Sequence, residues 1–172
     1  MSFRLAEKGD LQQIKRMYEA IVRNMNENGV GIWDEVYPCE FFAEDIEKRR
    51  LYLLTEGEEI VAAFALLEIV GAESYVQWEA PEAKALYLYR LGINVDYQRR
   101  GIACRMLDYA SEVAAQKGAE YLRLLVVDVN VPAIRLYLKS GFLRVEGVHA
   151  DDIVEGTVLY EYGYEKKLTD TL

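Results

Sequence analysis

The order of elements along the chain predicts an α/β fold of three layers, with helices on both sides of a mixed β-sheet. The sequence starts with a strand and two helices, continues with apolar segments typical of antiparallel strands, and ends with strands alternating with helices. We find no repeat, low-complexity tract or linker that would mark a domain boundary, and 172 residues suffice for a real core. We therefore expect one domain over residues 1–172.

The first half of the chain predicts a strand, two helices and a hairpin. Asp10 is a typical N-cap for the first helix, and Asn28-Gly29 is a typical helix end. The apolar residues of that helix recur at helical spacing, at Leu11, Ile14, Tyr18, Ile21, Val22 and Met25. The predicted bounds are 3–6 for the strand, 40–50 for the second helix, and 51–54 and 60–69 for the hairpin.

The second half predicts strands that alternate with helices. Strands are expected at 85–95, 121–127, 142–148 and 157–166, and helices at 100–117 and 130–140.

The segment 91–107 predicts an anion site, because a strand there leads through a basic turn into a helix. The first amides of a helix lack intrahelical partners and lie at the positive end of the helix dipole, which suits phosphate. Gly101 and Ala103 leave room beside the backbone, and Arg99, Arg100 and Arg105 add forked donors. We call residues 98–104 the cradle and predict that it binds a pyrophosphate.

The common nucleotide fingerprints do not match this turn. The chain contains no Gly-Lys-Ser/Thr, which a P-loop requires. A dinucleotide fold requires G-x-G-x-x-G in an early strand–helix–strand unit, whereas this turn has one glycine and lies in the middle of the chain.

A second motif begins at Asn130 and has the pattern N-x-x-A-x-x-x-Y-x-x-x-G-F, ending at Phe142. Asn130 is suited to cap a helix, Pro132 is tolerated in its first turn, and Gly141 is suited to end it. Tyr137 lies on the inward face of this helix. In isolation it would be taken as an ordinary core tyrosine.

Together the two motifs resemble the GNAT N-acetyltransferase superfamily. Gln98-Arg99-Arg100-Gly101-Ile102-Ala103 matches its Q/R-x-x-G-x-G/A signature, and the Asn130 motif matches the element that follows. The resemblance covers about residues 2–168. It implies a three-layer GNAT fold with a mixed, mostly antiparallel sheet whose strands splay, and acetyl-CoA as co-substrate.

The resemblance also implies which residues bind the cofactor. The backbone of Leu91, Gly92 and Ile93 would pair with the pantetheine arm, with Val95 at the end of the strand. Asn130 would hold the arm from the helix side, and Gln98 would brace the turn. The pyrophosphate would be wrapped by Arg99, Arg100, Gly101, Ile102, Ala103 and Cys104.

The implied chemistry is direct attack of a neutral amine on the thioester. By analogy with the family, the N–H of Ile93 would stabilise the oxyanion. Tyr137 is our candidate general acid for the leaving thiolate, since a thiol pKa of about 8.5 is within reach of a phenol.

The base remains open, because the strand 124–127 lacks the glutamate that some relatives carry there. Asp128 follows this strand and would either cap the next helix or line the cleft. The other carboxylate candidates are Glu68, Glu79, Asp34 and Glu35. His149, the only histidine, is expected at the surface or rim.

The loop 31–38 is the candidate acceptor region. Trp33 and Tyr37 would wall a site beside the acetyl group, with Asp34 as a polar anchor. The alternative is a loop pinned to the core by its aromatic residues.

Composition restricts the class of protein. A net charge of −9 argues against nucleic acid and favours a cationic amine or basic peptide as acceptor. No apolar run reaches the roughly 18 residues of a membrane helix, and we see no signal peptide. The two cysteines cannot frame a zinc site, so we expect no bound metal. Because we see neither a membrane helix nor a signal peptide, we expect a cytoplasmic location. A homodimer is compatible with the resemblance.

Two other functions stay open at this stage. One is a catalytically silent domain that binds or senses acyl-CoA, which the missing strand glutamate permits. The other is a transferase of longer acyl chains.

Overall fold

The computed structural model of the chain describes residues 1–68, 75–154 and 157–169. The chain folds into two compact units, which are described separately. The first comprises Met1–Leu67 and Leu88–Asp108, and the second comprises Glu68–Tyr87 and Tyr109–Leu172.

Four α-helices and ten strands are assigned among the described residues. The helices are α1 (Leu11–Glu27), α2 (Phe42–Glu47), α3 (Ile102–Gln116) and α4 (Val131–Lys139). The strands are β1 (Ser2–Leu5), β2 (Leu51–Glu56), β3 (Glu59–Leu67), β4 (Val76–Gln77), β5 (Ala85–Ile93), β6 (Tyr121–Val127), β7 (Leu143–Arg144), β8 (Glu146–Gly147), β9 (His149–Val154) and β10 (Thr157–Lys167).

In the first unit the strands follow the order β1-β2-β3-β5, and β1, β2 and β3 pair antiparallel. Helix α1 contributes its predicted apolar face to the core, with Ile14, Met17, Tyr18, Ile21 and Val22 buried. This face belongs to one apolar cluster with residues of β2, β3 and α2. Burial of such side chains stabilises the fold by about 1.5–3 kcal/mol each.

In the second unit the strands follow the order β5-β6-β10-β7, and β9 pairs with β10. The β5–β6 pair is parallel, whereas β10 runs antiparallel to β6, β7 and β9. The guanidinium of Arg123, 2% exposed, donates to the carboxylate of Glu165 at 3.1 Å, which satisfies a charge inside this unit. The predicted mixed, mostly antiparallel sheet is confirmed.

The predicted bounds agree with the structure for α1, β6 and α4, whereas other details differ. The side chain of Asp10 does not cap α1, because its carboxylate accepts from the backbone N–H of Glu7 and from Arg4. The second helix covers Phe42–Glu47 and is shorter than the predicted 40–50. A helix cannot continue through Arg49, because this residue adopts a left-handed φ of 52°. Residue 69 of the predicted hairpin lies outside the described residues.

Further differences concern strands. The predicted strand 85–95 ends at Ile93, where Asn94 starts a 3-10 turn by accepting from the N–H of Asp96. The predicted strand 142–148 is split into β7, which pairs with β10, and β8, which pairs with β4. His149 begins β9, which was not predicted. Within the described residues, no helix has the length and apolar character needed to cross a bilayer.

Candidate active site

The second half of β5 extends beyond its ladder with β6. The parallel ladder covers three residue pairs, from Ala85–Tyr121 to Tyr87–Arg123. β5 then continues through Leu91, Gly92 and Ile93, and β3 is its other neighbour in the sheet. The backbone of Asn94, just after the strand, also donates to Val61 at 2.8 Å. The chain therefore has an ordered strand leading into the cradle.

The cradle consists of a turn with two left-handed residues, followed by the first residues of α3. Arg99 has a φ of 60° and Gly101 has a φ of 74°. The first helical hydrogen bond joins the N–H of Arg105 to the carbonyl of Gly101 at 3.2 Å. The amides of Ile102, Ala103 and Cys104 therefore lie in the first helical turn, where no intrahelical acceptor is available. Left-handed residues beside a helix start make a concave arrangement of N–H groups that suits anions.

The space in front of the cradle is open. A Cβ built on Gly101 would have no neighbour within 4 Å. Gln98, Arg99 and Arg100 are exposed, so their donors are accessible to a ligand. The guanidinium of Arg100 lies 5.0 Å from the centre of the Tyr97 ring, which gives this cation a defined place beside the turn.

A buried group of charges contacts β5, the strand that precedes the cradle, and it was not predicted from the sequence. Arg90 in β5 donates through two nitrogens to the carboxylate of Asp45 in α2, each at 2.9 Å. Arg50 donates to the same carboxylate at 2.7 Å. Asp45 is 0% exposed. The available signal was an arginine inside an otherwise apolar strand, because a buried guanidinium requires a carboxylate partner.

Asn130 and Tyr137 lie on α4 in the second unit. The side-chain oxygen of Asn130 accepts from the N–H of Ala133 at 3.3 Å, so the predicted cap is confirmed. The Tyr137 ring contacts the Phe142 ring edge-on, with centroids 5.8 Å apart. Burial raises the pKa of Tyr137 to about 12, because desolvation disfavours the phenolate.

The geometry separates the carboxylates considered as bases. Asp128 does not cap α4, since Asn130 does, and among the described residues its Oδ1 is buried without a hydrogen-bond partner. The carboxylate of Glu79 instead lies 3.3 Å from the Tyr121 hydroxyl, and the Glu79 N–H donates to Glu165, the partner of Arg123. His149 is half-buried and lies with its ring centre 4.3 Å from that of Tyr75.

The loop 31–38 is held by its own aromatic residues. The Trp33 ring lies 5.7 Å from the Tyr18 ring and 6.4 Å from the Tyr37 ring. Asp34 is exposed, and its Oδ1 accepts from the N–H groups of Val36 and Tyr37. These bonds lower the pKa of Asp34, so it stays ionised. The loop is thus pinned to the core, while Trp33 and Tyr37 remain half-buried.

The predicted site residues therefore fall into two groups. The residues 91–104 and the loop 31–38 belong to the first unit, whereas Asn130 and Tyr137 belong to the second. Among the described residues, no cluster of three or more histidine, cysteine or acidic side chains is arranged to hold a metal ion.

Comparison with known proteins identifies the family. Residues 14–142 match the model of the Acetyltransferase (GNAT) family. The chain is 36% identical over 76 residues to "GCN5-related N-acetyltransferase 6, chloroplastic" of Arabidopsis thaliana, which is 44% of this chain and 26% of that protein. It is 33% identical over 79 residues to "Thialysine N-epsilon-acetyltransferase" of Bos taurus, which is 44% of this chain and 45% of that protein. The chain thus spans less than half the length of these relatives.

A solved structure supports the fold over nearly the whole chain. It is a GNAT-family acetyltransferase from Streptococcus agalactiae, with a TM-score of 0.80 and 18% identity, covering 96% of this chain and 94% of that one. The chain belongs to the GNAT acetyltransferase family, and the predicted fold class is confirmed.

The cradle suits the diphosphate of coenzyme A, the cofactor typical of this family. The arrangement offers first-turn amides, exposed guanidinium groups and open space at Gly101.

Gly101→Glu tests the cradle directly. A side chain at this left-handed position would add bulk and negative charge where the diphosphate is expected, so the Kd for acetyl-CoA should rise by at least about 100-fold. The measurement is isothermal titration calorimetry with acetyl-CoA.

Gly29→Glu is the matched control, since Gly29 has a φ of 73° and also nothing within 4 Å of a built Cβ. Equal losses of affinity in both variants, or an unchanged Kd in Gly101→Glu, would contradict the assignment of the cradle.

Proposed function

We propose that this protein is an N-acetyltransferase that moves the acetyl group of acetyl-CoA to a primary amine of a small molecule or peptide. The observation that carries the proposal is the cradle, in which Arg99 and Gly101 are left-handed and α3 begins at Ile102. Family membership supports the same reaction.

The cofactor would lie along β5 and the cradle. The backbone of Leu91, Gly92 and Ile93 would pair with the pantetheine arm as an added strand would, since this part of β5 lies beyond the β6 ladder. The amides of 102–104 and the arginine side chains would hold the diphosphate. Asn130, which already accepts from Ala133, would offer its amide nitrogen to the arm.

The transfer itself makes one C–N bond and breaks one C–S bond. The amine must first lose its ammonium proton, which at pH 7 costs about 4–5 kcal/mol for a lysine-like amine. Its lone pair then attacks the thioester carbon, and the N–H of Ile93 would stabilise the oxyanion. When the intermediate collapses, the sulfur leaves with the C–S electron pair. The nitrogen releases its second proton to solvent as the amide forms, and the thiolate takes up one proton, so the proton count balances.

Asp128 or a water molecule would accept the ammonium proton of the acceptor amine. The buried Oδ1 of Asp128 has no hydrogen-bond partner among the described residues, which leaves it available as a proton acceptor. This distinguishes it from Asp34 and Glu79, whose oxygens are used within the protein.

The role of Tyr137 is narrower than complete proton transfer. Its pKa of about 12 exceeds that of a thiol by more than three units, so giving up the proton entirely costs about 5 kcal/mol. The same shift keeps the phenol protonated throughout the neutral range. Tyr137 would therefore stabilise the leaving sulfur by donating a hydrogen bond, and solvent would supply the proton that remains on the thiol.

The acceptor would carry a positive charge near its reacting amine. Trp33 and Tyr37 present half-buried rings, and Asp34 and Glu35 are exposed carboxylates in the same loop. Aromatic faces and carboxylates attract ammonium groups, and the net charge of −9 acts in the same direction.

Tyr137→Phe should lower kcat by about 10- to 100-fold and leave the Kd for acetyl-CoA nearly unchanged, because it removes only a donor to the developing thiolate. The ratio of the two kcat values should stay constant from about pH 7 to about pH 10, below the raised pKa of Tyr137. The check is steady-state kinetics across that range, with Tyr164→Phe, which removes a buried phenol of β10, as control. An unchanged kcat would remove Tyr137 from the mechanism.

The proposed activity is tested by following release of free thiol from acetyl-CoA. The acceptor panel would contain polyamines, aminoglycosides, amino acids and peptides with free N-termini. We expect turnover with at least one cationic amine and acetylation of its nitrogen by mass spectrometry. Tight acetyl-CoA binding with no turnover across the panel would instead favour a binding or sensing domain.

A further inference from the structure

Arg90 has an unusual backbone conformation inside a regular strand. It lies in β5 with a φ of 57°, in the left-handed region that residues with a Cβ normally avoid. Such a residue interrupts the alternation of side chains and backbone groups along a strand. The residues that follow it, Leu91 to Ile93, are those proposed to bind the pantetheine arm.

The carbonyl group of Arg90 is held by Tyr18. The Tyr18 hydroxyl donates to the Arg90 carbonyl oxygen, and it also lies 3.3 Å from the carbonyl oxygen of Ala63 in β3. Tyr18 is 0% exposed, so no water competes for these acceptors. Tyr18 thus ties α1 to the irregular point of β5.

The side chain of Arg90 is held from another element. Its guanidinium makes the two bonds to Asp45 of α2 described above, and it lies 4.9 Å from the centre of the Phe41 ring. Both the carbonyl and the side chain of Arg90 are therefore fixed by buried partners, which is the condition under which a strained conformation persists.

Tyr18 also occupies the space beside Gly92. A Cβ built on Gly92 would lie 2.7 Å from the Cζ of Tyr18. The absence of a side chain at residue 92 therefore allows the ring to reach the Arg90 carbonyl. One tyrosine contacts the strand both at and just after its irregular point.

We propose that Tyr18 and Asp45 are positioning residues for acetyl transfer. They fix Arg90 in its left-handed conformation and so set the direction of the N–H and C=O groups of residues 91–93. This inference rests on the proposed function, because those groups matter for the reaction only if they bind acetyl-CoA.

Tyr18→Phe is the first test, since it removes the hydroxyl and keeps the ring. We expect the Kd for acetyl-CoA to rise about tenfold, because losing this buried hydrogen bond lowers the fraction of molecules in which residues 91–93 are aligned for binding. The amides of 91–93 should also exchange with deuterium about tenfold faster in the protein without ligand. Tyr52→Phe is the matched control, because Tyr52 is a buried tyrosine of β2 that stacks on Phe3 and Phe64.

Unchanged affinity and unchanged exchange in Tyr18→Phe would overturn the proposal. So would equal changes in Tyr52→Phe, because they would indicate general destabilisation. If the wild-type protein does not bind acetyl-CoA, the proposed function fails, whereas the exchange at 91–93 still shows whether Tyr18 holds the strand.

Asp45→Asn is the second variant, and it tests the other partner. Asparagine keeps the size of the side chain but cannot accept from both arginines in the same way. At temperatures well below its Tm, this variant should show a raised KM for acetyl-CoA with a smaller change in kcat. A lowered Tm with an unchanged KM would mean that Asp45 has only a structural role and would contradict the proposal.

Discussion

The carboxylate of Asp45, buried between two arginines, is the interaction on which the first unit depends most. It joins α2 to β5 through Arg90 and to the start of β2 through Arg50. A buried ion pair gives little net stability compared with apolar packing, but removal of one partner leaves an uncompensated charge and costs about 3–5 kcal/mol. The group therefore specifies where β5 lies, and the cradle follows directly from the end of that strand.

The same dependence connects the fold to the chemistry. The ladder between β5 and β6 covers three residue pairs. Beyond it, Arg90 of β5 is hydrogen-bonded to Tyr18 and Asp45. The strand then leads into the turn that precedes α3. An anion site made of backbone amides needs no conserved charged side chain, but it needs a fixed backbone. Tyr18 and Arg90 lie outside the cradle, and their buried polar contacts hold the strand that leads into it.

Local patterns predicted the elements well because they depend on neighbours in sequence. The face of α1, the strand β6 and the cap at Asn130 follow from periodicity and side-chain chemistry. The contacts of Tyr18 with Arg90 join residues 72 positions apart, and no periodicity reports such a bond. Asp10 shows that a local pattern can also mislead. Its side chain is of a type that often caps helices, but its carboxylate accepts from the N–H of Glu7 and from Arg4 instead.

A crystal structure of the protein with coenzyme A tests the central claim most directly. Our account predicts the diphosphate oxygens within about 3 Å of the amides of Ile102, Ala103 and Cys104. It also predicts the pantetheine arm beside the backbone of Leu91 and Ile93, with Arg90 still left-handed. Coenzyme A bound at another surface, or with its diphosphate away from these amides, would contradict the account.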